Sequence, residues 1–333
     1  MKKRTLGKTG VEISEVGLGT WQLGSADWGV VDENDALAIL RTAVETGVNL
    51  LDTADVYGLG VSEQVIGKFL KDTQETVHVA TKLGRVYCVE TGGWPEKFTL
   101  DMARKATQQS IKNLGVDSIF LQQWHCVPTE MMRDGHVFDI LETIKKEGLI
   151  QHWGCSVETV EEAHICMAHP GCASLQVIYN IFRQRLTDEV LPMAKQNNVG
   201  ILARVPLASG LLSGKFKKDH KFDESDHRNY NQGGKAFNAG ETFAGVPFDT
   251  GVECVEEIRQ ILSGIDGASL AQLALRWILD HDGVSTVIPG ATKLDHARSN
   301  SGASDLAPLG DDIHQKLQAL YDEKVAGCIM GAY

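Results

Sequence analysis

Eight short apolar runs alternate with stretches of helical period along the 333 residues, and this alternation constrains the fold more than any other feature. The runs read as strands over 15–20 (EVGLGT), 48–53 (VNLLDT), 77–82 (VHVATK), 118–125 (SIFLQQWH), 150–156 (IQHWGCS), 174–180 (SLQVIYN), 199–205 (VGILARV) and 284–290 (VSTVIPG). Between them the spacing predicts helices near 33–46, 62–71, 100–114, 136–147, 158–168, 187–197 and 269–281, with Ser269 as an N-terminal cap and Gly115 as a stop. Apolar strands separated by helices belong to a parallel sheet covered by those helices, and eight such units close into an α/β (β/α)8 TIM barrel. The whole chain, 1–333, is then expected to form a single barrel domain.

Three additions fall outside the repeat. Gly7 and Gly10 in the opening "RTLGKTGVEIS" suggest an N-terminal hairpin. A polar, Gly- and Asn-rich stretch over 213–250, the long loop after strand 7, reads as a lid over cofactor or substrate, because it leaves the barrel at the end where chemistry sits. Extra C-terminal helices follow, "VECVEEIRQIL" and one near 311–325.

Composition narrows the function. A net charge of −12 opposes nucleic acid as a partner, and no apolar run is long enough to span a membrane. Seven cysteines without a CxxC pair fit reduced thiols, and "MKKRTLGKTG" lacks the apolar run of a secretory signal, so the expected address is cytoplasmic. Oligomeric state is left open, since no heptad pattern stands out.

Barrel enzymes take their chemistry from the carboxyl ends of the strands. Here strand 2 ends in Asp52 with Tyr57 in the loop beyond, strand 3 in Lys82, strand 4 in His125 and strand 5 in Ser156; strand 6 carries Gln176 and strand 7 Arg204. Singly, each of the first four has an ordinary structural reading: a turn cap, a packing ring, a rim charge, a hydrogen-bonded core histidine. Jointly they make one chemical device. A phenol is a poor acid near neutral pH unless a cation stabilises its phenolate, Lys82 is such a cation, and Asp52 supplies the anion that keeps Lys82 charged. His125 adds a hydrogen-bond donor beside the phenol, which suits protonating a carbonyl oxygen as its carbon receives a nucleophile.

Asp52, Tyr57, Lys82 and His125, in that order, resemble the catalytic tetrad of the aldo-keto reductases. The resemblance runs from "VGLGTWQLG" through "LLDTADVYG", "VATK", "VDSIFLQQWH", "WGCS", "LQVIYN" and "VPLASGLLSGK" to "VIPGATKLDHARSN". It is closest in style to bacterial members related to the potassium-channel β-subunits and to sugar and polyol reductases. It implies hydride transfer from a nicotinamide cofactor, without a metal, to a small aldehyde or ketone, with Tyr57 as general acid. NADP(H) is the favoured cofactor and NAD(H) the other candidate. The resemblance assigns the nicotinamide end to Gly19, Thr20, Trp21, Asp52, Ser156, Gln176, Arg204, Val205 and Pro206. It assigns the pyrophosphate to Leu207, Ser209, Gly210, Leu211, Ser213 and Lys215, and the far phosphate to Gly290, Thr292, Lys293, His296 and Asn300. Loops after strands 7 and 8 are also where barrels commonly hold phosphate.

Three departures matter. Val157 stands where many relatives have Asn, so one carboxamide contact is lost or replaced. Arg204 stands where many have a stacking aromatic ring, and its positive charge leans the site towards reduction. Gly290, Ala291 and His296 replace a Lys-Ser pair and Arg that clamp a 2′-phosphate in many relatives.

A Rossmann reading of "GLGTWQLG" fails, because Gly17 and Gly19 fit but Gln22 stands at the third glycine. A Schiff-base lyase acting through Lys82 is the rival enzyme, opposed by Asp52, which keeps the amine protonated. A cofactor-sensing regulatory subunit with little turnover is the non-enzymatic alternative. A metal-dependent hydrolase lacks the HxH pair it needs after strand 1. Trp21, Trp28, Trp94 and Trp124 either line an aromatic cleft around the carbonyl or pack the core.

Overall fold

The structure, a computed structural model, describes residues 1–24, 28, 31–331 and 333. A small antiparallel hairpin, β1 (Lys3–Thr5) and β2 (Glu12–Ser14), precedes eight parallel strands. These are β3 (Leu18–Gly19), β4 (Leu50–Asp52), β5 (His78–Leu83), β6 (Ile119–His125), β7 (Ile150–Ser156), β8 (Cys172–Ile178), β9 (Gly200–Arg204) and β10 (Thr286–Val287), paired in chain order. Isolated parallel bridges Val16–Val287 and Gly19–Gly290 close the ring between first and last strand. All seven residues of β6 and of β8 are buried, as a parallel sheet under helices requires.

The alternating helices fall where the periodicity places them, at Glu33–Glu45, Val61–Asp72, Leu100–Leu114, His136–Lys146, Val160–Met167, Leu186–Gln196 and Leu270–Leu279. Their ends follow local chemistry. Thr159 and Ser269 form capping boxes with Glu162 and Gln272, and Gly115 ends its helix in the left-handed conformation. None of the described helices is long and apolar enough to cross a membrane.

The two closing strands are shorter than their sequence runs suggest. Pro289 has no amide hydrogen and cannot extend the ladder on β10, so the seam is held by single bonds such as Gly17 N–H to the Val287 carbonyl. Buried Glu15 reinforces it from below, accepting from Arg4 at 2.9 Å while Arg4 also donates to the Val284 and Leu279 carbonyls.

The hairpin plugs the amino-terminal end of the barrel. Leu6 and Ile13 join Leu50, Ala80, Phe120, Leu121 and Leu202 in a separate apolar cluster. The fit is tight: a Cβ on Gly7, whose φ is +46°, would stand 2.3 Å from the Gly200 nitrogen. With that end sealed, the carboxyl end holds the cavities described below. Leu6→Ala is expected to cost about 2–5 kcal/mol by leaving a hole in this plug, read as a lower urea midpoint at unchanged m-value.

Candidate active site

Parallel register sets three of the four candidate catalytic groups, Asp52, Lys82 and His125, at one end of the barrel. Asp52 lies beside Ala80, Lys82 beside Gln123, His125 beside Ser156, and Ser156 beside Gln176, all at the carboxyl ends of their strands. The turn after β4 brings Tyr57 back over them, and the helix Val61–Asp72 anchors it: Ser62 Oγ–H donates to the Thr20 carbonyl, and Thr53 donates to Ser62. Gly58 is required there, since its φ is +60° and a Cβ would stand 1.7 Å from the Gly24 carbonyl.

Fully buried Lys82 donates to Asp52 Oδ1 at 2.6 Å, to the Thr53 carbonyl at 2.8 Å and to Tyr57 Oη at 3.3 Å. Gln176 donates its amide to the other Asp52 oxygen at 2.7 Å. His125 meets the Tyr57 ring edge-on at 5.9 Å, and Trp21 stacks on that ring at the same separation.

Burial alone would lower the Lys82 pKa, but Asp52 and then Tyr57 hold it above the ordinary lysine range, so the amine stays an ammonium. For Tyr57 the balance runs against the simple sequence argument. Burial raises the phenol above its usual value, and the pull of Lys82 does not fully offset it. At neutral pH the group is therefore a protonated donor. Burial, then Arg85, Lys82 and Arg204, holds the His125 pKa well below the usual value, so the ring is a neutral imidazole.

Two cavities meet at Tyr57 and His125. The first runs from the tetrad along the loops after β9 and β10. Of the expected cofactor residues it is lined by Gly19, Thr20, Trp21, Asp52, Gln176, Arg204, Val205, Pro206, Leu207, Ser209, Gly210, Ser213, Lys215, Gly290, Thr292, His296 and Asn300. Three expected residues lie outside this lining. Ser156 is buried, with its Oγ 3.4 Å from Cys126 Sγ; Leu211 packs into the core; and Lys293 acts on the cavity only through its charge on Lys215 and His296. The second cavity opens outward between Val56–Leu59, the short helix Arg85–Thr91, Trp94, Glu158 and 236–239.

Of the four tryptophans, Trp21 and Trp28 face the first cavity, and Trp21 and Trp94 the second. Trp124 is a packing residue, donating to the Val137 carbonyl and lying against Phe98.

The stretch 213–250 is built of short helical turns at His227–Tyr230, Ala239–Glu241 and Phe243–Gly245. Phe222, Phe243 and Phe248 pack together beneath it. It delivers two residues that the sequence reading missed, Arg228 and Glu241. Arg228 is ion-paired with Asp226 at 2.5 Å and lies over Trp28. Glu241 meets Arg204 at 2.5 Å, so Arg204 is not the lone cation that its position after strand 7 suggests. The signal was an acid isolated among small and apolar residues in "FNAGETFAG", which calls for a buried partner.

The basic end of the first cavity suits a phosphate. Burial, then Arg228 and Lys293, lowers the Lys215 pKa, and burial, then Lys215 and Lys293, lowers that of His296, so these groups repel one another in a chain of net charge −12. The loop lining it carries positive φ at Val205, Ala208, Ser209 and Gly210, a backbone path that turns amides towards a concavity. At the tetrad end, Arg204 Nε is buried without a hydrogen-bond partner among the described residues. These features fit a long anionic cofactor reaching from Lys215 to the tetrad. A metal fits less well: Cys126, Glu158 and Glu241 converge within 4.8 Å, but Arg85 and Arg204 already pair with the two carboxylates.

The profile of the Aldo/keto reductase family matches residues 15–322. The chain belongs to that family. The aldo-keto reductase YhdN of Bacillus subtilis is 30 % identical over 300 residues, covering 88 % of this chain and 86 % of the relative. The holo form of the aldo-keto reductase AKR11C1 from Bacillus halodurans superposes with a TM-score of 0.77 at 28 % identity, covering 96 % of each chain. An aldo/keto reductase from Klebsiella pneumoniae in complex with NADP and acetate gives 0.70 at 22 % identity, again over 96 % of each chain. Membership agrees with the resemblance read from the strand ends, and with the (β/α)8 barrel.

One buried acid of this family member lies beside the four strand-end and turn residues but outside them. Burial, and then Glu63, raises the Asp55 carboxyl pKa to about 7, although Asp55 accepts from the Gly84 amide at 3.1 Å. A carboxyl with a raised folded pKa stabilises most below its unfolded value of 3.8, and that contribution is lost as pH rises towards 7, a difference on the order of 4 kcal/mol. Asp55→Asn lacks this dependence, so its stability relative to the parent should rise between pH 5 and pH 8. Urea midpoints at the two pH values test it, because any constant effect of the amide cancels.

Proposed function

We propose that the protein is an NAD(P)H-dependent carbonyl reductase that converts small aldehydes or ketones to alcohols, with NADP(H) the favoured cofactor. The reading rests on one observation above all: a phenol 3.3 Å from a buried ammonium, itself bonded at 2.6 Å to a carboxylate, at the junction of two cavities. The first cavity is assigned to the dinucleotide, the second to the substrate, and 213–250 acts as the lid over the first. The Klebsiella protein, which has the same fold, forms a complex with NADP.

The dinucleotide, when bound, supplies a hydride. The chain's own residues do the rest. Tyr57 donates its proton to the carbonyl oxygen as the carbon is reduced, and Lys82, held by Asp52, stabilises the phenolate left behind. Neutral His125 donates a hydrogen bond to the same oxygen and fixes its position. Lys215, His296, Thr292 and Asn300 hold the phosphates, and Gln176 and Arg204 orient the ring. Ser156, buried beside Cys126, acts from behind the wall, and Val157 presents its carbonyl to Arg204 at 3.2 Å. A Schiff-base role for Lys82 is disfavoured by the raised lysine pKa, since an ammonium is no nucleophile.

Purified protein should oxidise NADPH in the presence of small reactive aldehydes. Tyr57→Phe should lower kcat at least about a hundredfold while NADPH binding, read by fluorescence, stays close to that of the parent. Full turnover in the phenylalanine variant would remove the proton-donor role. Tight cofactor binding with negligible turnover by the parent would favour a sensing subunit. Lys215→Met should weaken binding of either dinucleotide at least about tenfold, and by less at high salt.

A further inference from the structure

Glu241 faces both cavities and is the carboxylate paired with Arg204. Its backbone is fixed on two sides. Ser209, on the loop after β9, donates its hydroxyl to the Glu241 carbonyl at 3.0 Å and accepts the Phe243 amide at 3.0 Å. Buried Asn231 accepts from the Ala236 and Phe237 amides at 2.9 Å and donates to Thr242 at 2.9 Å. Burial alone would raise the Glu241 pKa, but Arg204, Arg85, Lys82 and His227 hold it below the ordinary carboxylate range, so the group is ionised.

Three ion pairs stand around the tetrad, with buried Arg183 acting on Arg204, Glu158 and Glu241 from behind. Lys82 is matched by Asp52, Arg85 by Glu158 at 3.3 Å and Arg204 by Glu241, while His125 and Tyr57 are neutral. A dinucleotide in the first cavity would have Arg204 and Gln176, the lining residues next to the tetrad, to hold its reactive ring. That ring is neutral when reduced and gains one positive charge on losing hydride. The carbonyl carbon takes the hydride and its oxygen takes the Tyr57 proton.

We propose that Glu241 sets the protein's relative affinity for oxidised and reduced dinucleotide, by cancelling the Arg204 charge beside the ring so that the oxidised form is not repelled. This inference rests on the dinucleotide reading above. It replaces the lean towards reduction that an unpaired Arg204 implies with a site balanced for both directions.

The experiment measures dissociation constants for NADP+ and NADPH, or for NAD+ and NADH if the parent prefers that pair. The proteins are the parent, Glu241→Gln, Arg204→Met and the double variant, each checked for folding by thermal unfolding without ligand. A full charge uncovered a few ångströms from the ring in a buried site is worth at least about tenfold. The ratio of oxidised to reduced dissociation constants should rise by that much in Glu241→Gln, fall in Arg204→Met, and return to within about threefold of the parent in the double variant. An unchanged ratio in Glu241→Gln, or both constants weakened equally, overturns the inference and leaves the dinucleotide reading standing. If Glu241→Gln does not fold, Arg204→Met decides, and an unchanged ratio there overturns it. A folded parent that binds neither dinucleotide overturns both.

Discussion

A lysine ammonium with no solvent contact must have an anion, and the bond from Lys82 to Asp52 is the constraint around which the active end of this barrel is arranged. The pair occupies adjacent strands, so its geometry is set by sheet register and not by flexible loops. Asp52 is held in turn by Gln176, from four strands further round the ring. The tetrad is thus tied across the barrel, and Tyr57 approaches a cation that cannot move away from it. Removing Asp52 would leave an uncompensated charge in the most buried part of the site.

Burial acts with opposite effect on the groups around that pair. It keeps the Tyr57 proton on the oxygen and the proton off the second nitrogen of His125, so both side chains are neutral. The sequence argument made the phenol acidic through its ammonium neighbour. The fuller balance makes it a protonated donor whose conjugate base is stabilised when the proton has left. Such a phenol keeps its proton at rest and has an ammonium beside it for the phenolate.

Much of this was legible in the chain because barrel chemistry sits where strands end, and strand ends are marked by a change from apolar to polar residues. Asp52, Lys82 and His125 could be placed that way, whereas Gln176, inside its strand, was assigned only through the family resemblance. The parts that were not legible lack a local signal. The helices Arg85–Thr91 and Thr129–Arg133 are too short to show a period, and β3 and β10 shrink to two residues because Pro289 interrupts the ladder. The order of 213–250 comes from contacts such as Asn231 with Ala236 and Phe237, which no pattern of hydropathy records. Of its contributions to the cavity wall, Glu241 carries only the faint signal of an acid among small and apolar residues, and Arg228 none apart from its pairing with Asp226.

The outer cavity is walled by pieces that carry no strand register: the turn 56–59, the helix Arg85–Thr91, Trp94 and the stretch 236–239. Leu59 and Val89 on its rim are 60 % exposed and constrain nothing beneath them. The outer rim and the polar strand ends are therefore built from separable parts of the molecule, so the rim can be exchanged residue by residue while the Lys82–Asp52 pair below it stays in register.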